Sequence, residues 1–143
     1  MKIKAKRFDK SLPLPEYHTK GAAGFDFRAR ERVEILPGQT ASVLLNIAME
    51  IPEGHFLLLA ARSSLHKSGL AMRNSIGIID SDYRGDEDQI KAILFNFTDA
   101  PVAVERGDRI VQGVIVPFVR AEWDETDEMK NSTRGGFGST GAS

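Results

Sequence analysis

The sequence predicts an all-β domain, a sandwich or barrel of short strands with one short helix and a C-terminal arm. Three observations carry that prediction. Apolar residues alternate through several short runs, turns rich in glycine and proline recur between them, and no stretch holds a long helical period. Period-two alternation marks strands with one face toward a core, and several such strands in series are the pattern of sandwiches and barrels.

Taken in order, the chain opens with Met1 to Arg7, basic and without the apolar run of a signal peptide. Turns at Leu36-Pro37-Gly38 and Pro52-Glu53-Gly54 bound a run in which Val43, Leu45, Ile47 and Met49 alternate. The apolar run Phe56 to Ala61 comes next. It leads into the single helix candidate, Ser64 to Ser68, with a serine to cap its start and Gly69 to end it. Arg84 to Asp88 reads as a turn, and Ile93, Phe95 and Phe97 alternate beyond it. Two further turns, Thr98 to Pro101 and Arg106-Gly107-Asp108, precede a last run in which Ile110, Gln112, Val114 and Val116 alternate. The tripeptide Arg-Gly-Asp occurs at Arg84 and again at Arg106, and both copies read as β-turns. Residues 1–119 thus form one β domain. Residues 120–143 form an arm of the same domain, acidic from Glu122 to Asn131 and glycine-rich at its end.

Composition narrows the function. Of 143 residues, 41% are apolar and 27% charged, ordinary for a globular protein, and a net charge of −1 gives no basic field for nucleic acid. There is no cysteine, and His18, His55 and His66 lack metal-ligand spacing. No segment has the apolar length of a membrane span. The expectation is a cytoplasmic enzyme or binding protein that contacts neither nucleic acid nor membrane.

Three constellations carry chemistry. Arg62-Ser63-Ser64-Leu65 follows an apolar run and opens the helix candidate, where free N–H groups, a guanidinium and two hydroxyls suit phosphate. The bland alternative is an ordinary cap beside a surface arginine. In Asn74-Ser-Ile-Gly-Ile-Ile-Asp80-Ser-Asp82-Tyr83-Arg84-Gly85, Asp80 directly follows the apolar pair Ile78-Ile79, which is expected to be buried or nearly so. Desolvation there would raise the acid toward what a general base needs at neutral pH, whereas the bland alternative is a turn between two strands. The tail from Ser132 to Ser143 joins Arg134, Phe137, Ser139 and Thr140 to four glycines, a set suited to a nucleotide polyphosphate. A frayed terminus is its bland alternative. It is not a Walker-type loop, having neither a lysine after its glycines nor a preceding strand.

Taken together, the motifs resemble those of the trimeric dUTP pyrophosphatase (dUTPase) family. Ala23-Gly24-Phe25-Asp26-Phe27-Arg28-Ala29 matches the first motif and Arg62-Ser63-Ser64-Leu65 the second. Asn74 with Gly77 to Gly85 matches the third, Gly107 to Gln112 the fourth, and Gly135 to Gly141 the fifth. The resemblance implies a jelly-roll-like β fold, a homotrimer with shared active sites, and hydrolysis of dUTP to dUMP and pyrophosphate with Mg²⁺. That activity keeps uracil out of DNA and supplies dUMP for thymidylate synthesis.

The resemblance also implies roles for single residues. Asp80 is the base that activates water for attack on the α-phosphorus. Asn74 and the backbone at Ile78 and Ile79 read uracil, Lys91 lies near the nucleoside, and Tyr83 stacks beneath the deoxyribose and excludes a 2′-hydroxyl. Arg62, Ser63, Ser64 and Gln112 hold the phosphates, and Asp26 binds the metal through water. Phe137 closes over uracil within the lid that includes Gly136, while Arg134, Ser139 and Thr140 meet the outer phosphates. Three departures stand out: Ala61 stands where the family often has proline, Asp86 to Gln89 is longer than the family's usual connection, and Arg134 lies closer to Phe137 than the family's arginine.

Two alternatives share the fold. A dCTP deaminase calls for a glutamate on the strand after the third-motif turn, and Ile90 to Asn96 has none. A non-catalytic nucleotide-binding trimer could dispense with Asp80 or the tail, and both are present.

Overall fold

The computed structural model describes residues 1–137. Among these, eleven strands and one 3-10 turn make up the regular structure. No helix among the described residues is long and apolar enough to cross a membrane.

Four strands form the principal antiparallel sheet: β2 (Phe25–Arg28), β11 (Arg109–Pro117), β6 (His55–Ala61) and β8 (Ile76–Ile79), side by side in that order. A second sheet places β9 (Lys91–Asn96) between β4 (Thr40–Leu44) and β7 (Leu70–Met72). Two ribbons complete the sandwich, β1 (Ala5–Arg7) on β5 (Ile47–Met49) and β3 (Val33–Ile35) on β10 (Val102–Val104). The fold is all-β and jelly-roll-like.

The core lies between the sheets. Phe25, Phe27, Leu57 and Leu59 face Val43, Ala92, Leu94 and Leu70, with Ile35, Ile47 and Val104 closing the ends. Gly113 sits in the middle of it. A Cβ there would lie 2.6 Å from Phe27 Cε2, 2.7 Å from Leu57 Cδ1 and 2.9 Å from Phe25 Cε2. Gly113→Ala is therefore expected to cost about 2 kcal/mol by overpacking, read as a lower midpoint in urea or heat.

Three expectations need correction. The run Val43 to Met49 is not one strand, because the chain breaks at Leu45-Asn46 and continues in another sheet. Asn46 has φ +66° and is buried. Its side chain accepts from Asp9 N at 2.7 Å and donates to Asp9 O at 2.9 Å, which ties the start of the chain to this corner. On β9 the core side is Ala92, Leu94 and Asn96, whereas Phe97 is 52% exposed beyond the strand end. Asn96 is tolerated inside because its amide donates to Ile35 O and Ala100 O, both at 2.8 Å. On β11, a bulge between Arg109 and Val111 shifts the register, so Val111 and Gly113 turn inward rather than Gln112 and Val114.

Among the described residues beyond Pro117 there is no strand, and residues 118–137 are exposed.

Candidate active site

Pairing across the principal sheet puts Asp26, Gln112, Ala60 and Ile76 in one row. At this end the Asp26 side chain, 11% exposed, receives three partners on Oδ2: Arg62 Nε at 2.9 Å, His18 Nε2 at 3.1 Å and Arg109 Nη1 at 3.4 Å. Arg109 also contacts the His18 ring. Arg62 donates through Nη1 to the Arg109 carbonyl at 2.9 Å and approaches Ser64 Oγ at 3.5 Å. Gln112 donates to Ala61 O at 3.0 Å, and its side chain occupies space that only a glycine at position 24 leaves, since a Cβ there would stand 2.6 Å from Oε1. Ser63 lies exposed beside Arg62. A cavity of ≈ 310 Å³ opens here, lined in part by Arg62, Ser64, Asp108 and Arg109. Two guanidinium groups and the Ser64 and Ser68 hydroxyls on one cavity, with the Asp108 carboxylate at its wall, suit an anionic, multiply charged group.

The helix expected from Ser64 to Ser68 is a single 3-10 turn, Leu65–Ser68, ended by Gly69 at φ 81°. Ser64 takes the N-cap position without a side-chain cap bond. So short a turn supplies little macrodipole, and attraction for an anion rests on the arginines.

Asp80 lies elsewhere. Ile79 pairs with Leu57, which sets Asp80 beside Phe56, six positions along β6 from Arg62. At about 3.3 Å per residue the two ends are about 20 Å apart. Asp80 lines a cavity of ≈ 340 Å³ with Ser81, Asp82, Phe118 and Arg120. The expected burial of its neighbours does not hold: Ile78 is 59% exposed, Ile79 is half-buried and Asp80 is exposed. The cause is that β8 is the edge strand of its sheet, with Ile76 and Ile78 on the outer face. Within one chain, Asp80 faces solvent.

The nucleoside candidates follow this edge. Asn74 is exposed just before β8, and its carbonyl accepts from Ile76 N at 2.7 Å. Lys91 is exposed at the start of β9, opposite Leu44. Tyr83, 38% exposed, donates its hydroxyl to the Gln89 carbonyl at 3.1 Å. The longer connection after it is tied down by Lys6, whose Nζ donates to Asp86 Oδ2 at 2.7 Å and to Asp86 O at 2.9 Å. Asp86 holds Lys6 above the usual lysine value, and Lys6 holds Asp86 below the usual carboxylate value. Both groups therefore stay charged through neutral pH, and the tie weakens when acid protonates Asp86 or strong base deprotonates Lys6. Of the arm, Arg134, Gly136 and Phe137 are exposed, and Ser139 and Thr140 lie outside the described residues.

So the structure gathers Asp26, Arg62, Ser64 and Gln112 at one end of the sheet and strings Ile78, Ile79, Asp80 and Tyr83 along the other. Two cluster members escaped the sequence reading. Arg109 had a signal, standing three positions before Gln112 in the same motif, but His18 had none. Among the described residues, no three His, Cys, Asp or Glu side chains could hold a metal ion together. Every side-chain contact of Asp26 falls on Oδ2. Oδ1 is thus left for a metal-bound water, as fits a hard cation held mainly by waters and phosphates.

Known proteins bear on this arrangement. The dUTPase family model matches residues 10–141, a span that contains every motif described above. The deoxyuridine 5'-triphosphate nucleotidohydrolase of Anaeromyxobacter sp. is 47% identical over 91% of this chain and 88% of its own length. The crystal structure of dUTPase from Streptococcus mutans is 35% identical, with a TM-score of 0.76 over 83% of this chain and 98% of that one. The dUTPase of Staphylococcus bacteriophage 80alpha with dUPNHPP is 26% identical, with a TM-score of 0.86 over 99% of both chains. With motifs, fold and whole-length similarity in agreement, the chain belongs to the dUTPase family.

Proposed function

We propose that this chain hydrolyses dUTP, the reaction its relatives are named for, and that it does so to dUMP and pyrophosphate, with water activated by Asp80 attacking the α-phosphorus. The observation that carries the reading is the pair of arginines, Arg62 and Arg109, converging on Asp26 in one sheet row with Gln112. In a chain of net charge −1, this is a local receptor for polyphosphate rather than part of a general basic surface.

Arg62, Ser63, Ser64 and Gln112 hold the phosphates, supported by Arg109. The unpaired edge of β8 offers main-chain groups of Ile78 and Ile79 to uracil, with Asn74 ahead of the strand on the same edge, and an unmatched base would leave those groups without partners. Tyr83 lies under the sugar, Lys91 nearby. A divalent cation, Mg²⁺, neutralises charge on the phosphates when bound, with Asp26 facing it through water. Residues 120–143 form an arm on the domain of residues 1–119. Its end closes as a lid, bringing Phe137 with Gly136 to uracil and Arg134, Ser139 and Thr140 to the outer phosphates.

The working unit is a homotrimer in the cytoplasm whose sites are shared. Two facts support sharing. The halves of the site lie about 20 Å apart on one chain, too far for one nucleotide to bridge while its α-phosphate meets Asp80. The outer face of the principal sheet is also apolar, with Ile76 48%, Ile78 59% and Phe118 39% exposed beside half-buried Phe56, Leu58 and Val116. Packing against another copy covers this face and desolvates Asp80.

Pyrophosphate release with Mg²⁺ from dUTP, dTTP, dCTP and UTP in parallel tests the reading. Release from dUTP alone, with dUMP as product, is the expected result. Ammonia and dUTP from dCTP would identify a deaminase. Binding of dUTP without turnover would identify a nucleotide sensor.

A further inference from the structure

The proposed function needs the Tyr83 ring held to a fraction of an ångström, because excluding one hydroxyl depends on where the ring stands. Tyr83 sits on an exposed turn, which offers little constraint of its own. Its backbone N donates to Asp80 O at 3.2 Å, and the far end of its ring is held by the hydroxyl, which donates to the Gln89 carbonyl at 3.1 Å.

Gln89 is 6% exposed, and its Oε1 accepts from Arg30 Nη1 at 3.0 Å. The next residue is pinned to the core on both sides, since Ile90 N donates to Ile47 O and Leu45 N to Ile90 O, both at 2.9 Å. Arg30 is fixed in turn. Its backbone N donates to Leu44 O at 2.8 Å, and its guanidinium lies over the Phe8 ring at 5.3 Å.

The other end of the Gln89 amide makes the arrangement informative. Nε2 is buried without a hydrogen-bond partner. An orphaned buried donor is unfavourable, and an apolar side chain of similar length would avoid it, so stability does not account for a glutamine here. The bond from Arg30 does. It orients the amide, and together with the Ile90 N–H bond to Ile47 O, which holds the Gln89–Ile90 peptide, it steadies the residue whose carbonyl Tyr83 uses.

We infer that Arg30 is a specificity-determining positioning residue: acting through Gln89, it holds the Tyr83 ring where a ribose 2′-hydroxyl cannot fit. Arg30 touches no substrate. Its effect is on discrimination between deoxyribo- and ribonucleotide, and the inference rests on the dUTP-hydrolysing reading above.

The test compares kcat/KM for dUTP and UTP, with Mg²⁺, in the full chain and in Arg30→Met, Arg30→Lys, Tyr83→Phe and the double variant Arg30→Met/Tyr83→Phe. Methionine keeps the stem over Phe8 and removes the donor, and lysine restores a donor. Arg30→Met should lower the dUTP:UTP ratio by about tenfold, one hydrogen bond's worth. The change should arise mostly from a better KM for UTP, with kcat on dUTP nearly kept. Arg30→Lys should recover much of the ratio. Tyr83→Phe should also lower it, and the double variant should fall no further than the worse single one, because both break one chain of contacts.

An unchanged ratio in Arg30→Met, or additive losses in the double variant, would overturn the inference. If Arg30→Met does not fold, Arg30→Lys and Tyr83→Phe decide, and a ratio equal to that of the unaltered chain in Tyr83→Phe overturns it. An unaltered chain that releases no pyrophosphate from dUTP would remove the functional reading, and this inference with it. Discrimination that survives in every variant removes the inference alone.

Discussion

Asp80→Asn is expected to yield a folded chain that binds dUTP and turns it over at least about a hundred-fold more slowly, the lower range for loss of a general base. Asparagine keeps the size and the turn chemistry of aspartate but cannot take a proton. Because Asp80 lies outside the hydrophobic core and asparagine matches its size, the exchange should leave the unfolding midpoint nearly unchanged. Turnover measured beside dUTP affinity separates the base from a mere binding group. Near-normal turnover would remove Asp80 from its role and return the sequence Ile79-Asp80-Ser81 to an ordinary turn.

Removing residues 132–143 is expected to leave assembly and thermal midpoint intact while cutting dUTP hydrolysis at least about tenfold, the consequence of leaving the site open to water. The described part of the arm contributes nothing to the core: Trp123 is 90%, Met129 83% and Phe137 wholly exposed. Size-exclusion elution, melting temperature and pyrophosphate release on the same preparation decide it. Full activity in the shortened chain would dismiss the lid.

The positions of the strands were legible because their turns are written in Pro-Gly and Arg-Gly-Asp steps, and Gly38, Gly54 and Gly107 adopt the positive φ those turns require. Other features were hidden for identifiable reasons. The break after Leu45 depends on hydrogen bonds between Asn46 and Asp9, residues far apart in sequence, and no local pattern reports them. The face of β9 was ambiguous because both of its sides carry apolar residues. The bulge near Ile110 shifted the phase of β11 without a glycine or proline to announce it.

At the site, residue types and spacing pointed to the phosphate cluster, but the place of His18 in it arises only when the chain folds back to Asp26. The environment of Asp80 was misjudged because apolar neighbours were read as buried within one chain. Here they lie on an edge strand, with Ile78 on its outer face, open in the single chain.

The Asp26 carboxylate has a consequence for what the arginines accept. It acts as a resident counter-ion: one carboxylate offsets one of the two guanidinium charges of Arg62 and Arg109, so the cluster presents a reduced field to a passing phosphate, chloride or stretch of nucleic acid. A single charge gains little by displacing it, whereas a chain of phosphates offers several charges at once and can win the exchange. The carboxylate thus sets a threshold of valence, so the site ignores the abundant simple anions around it and answers to polyphosphate.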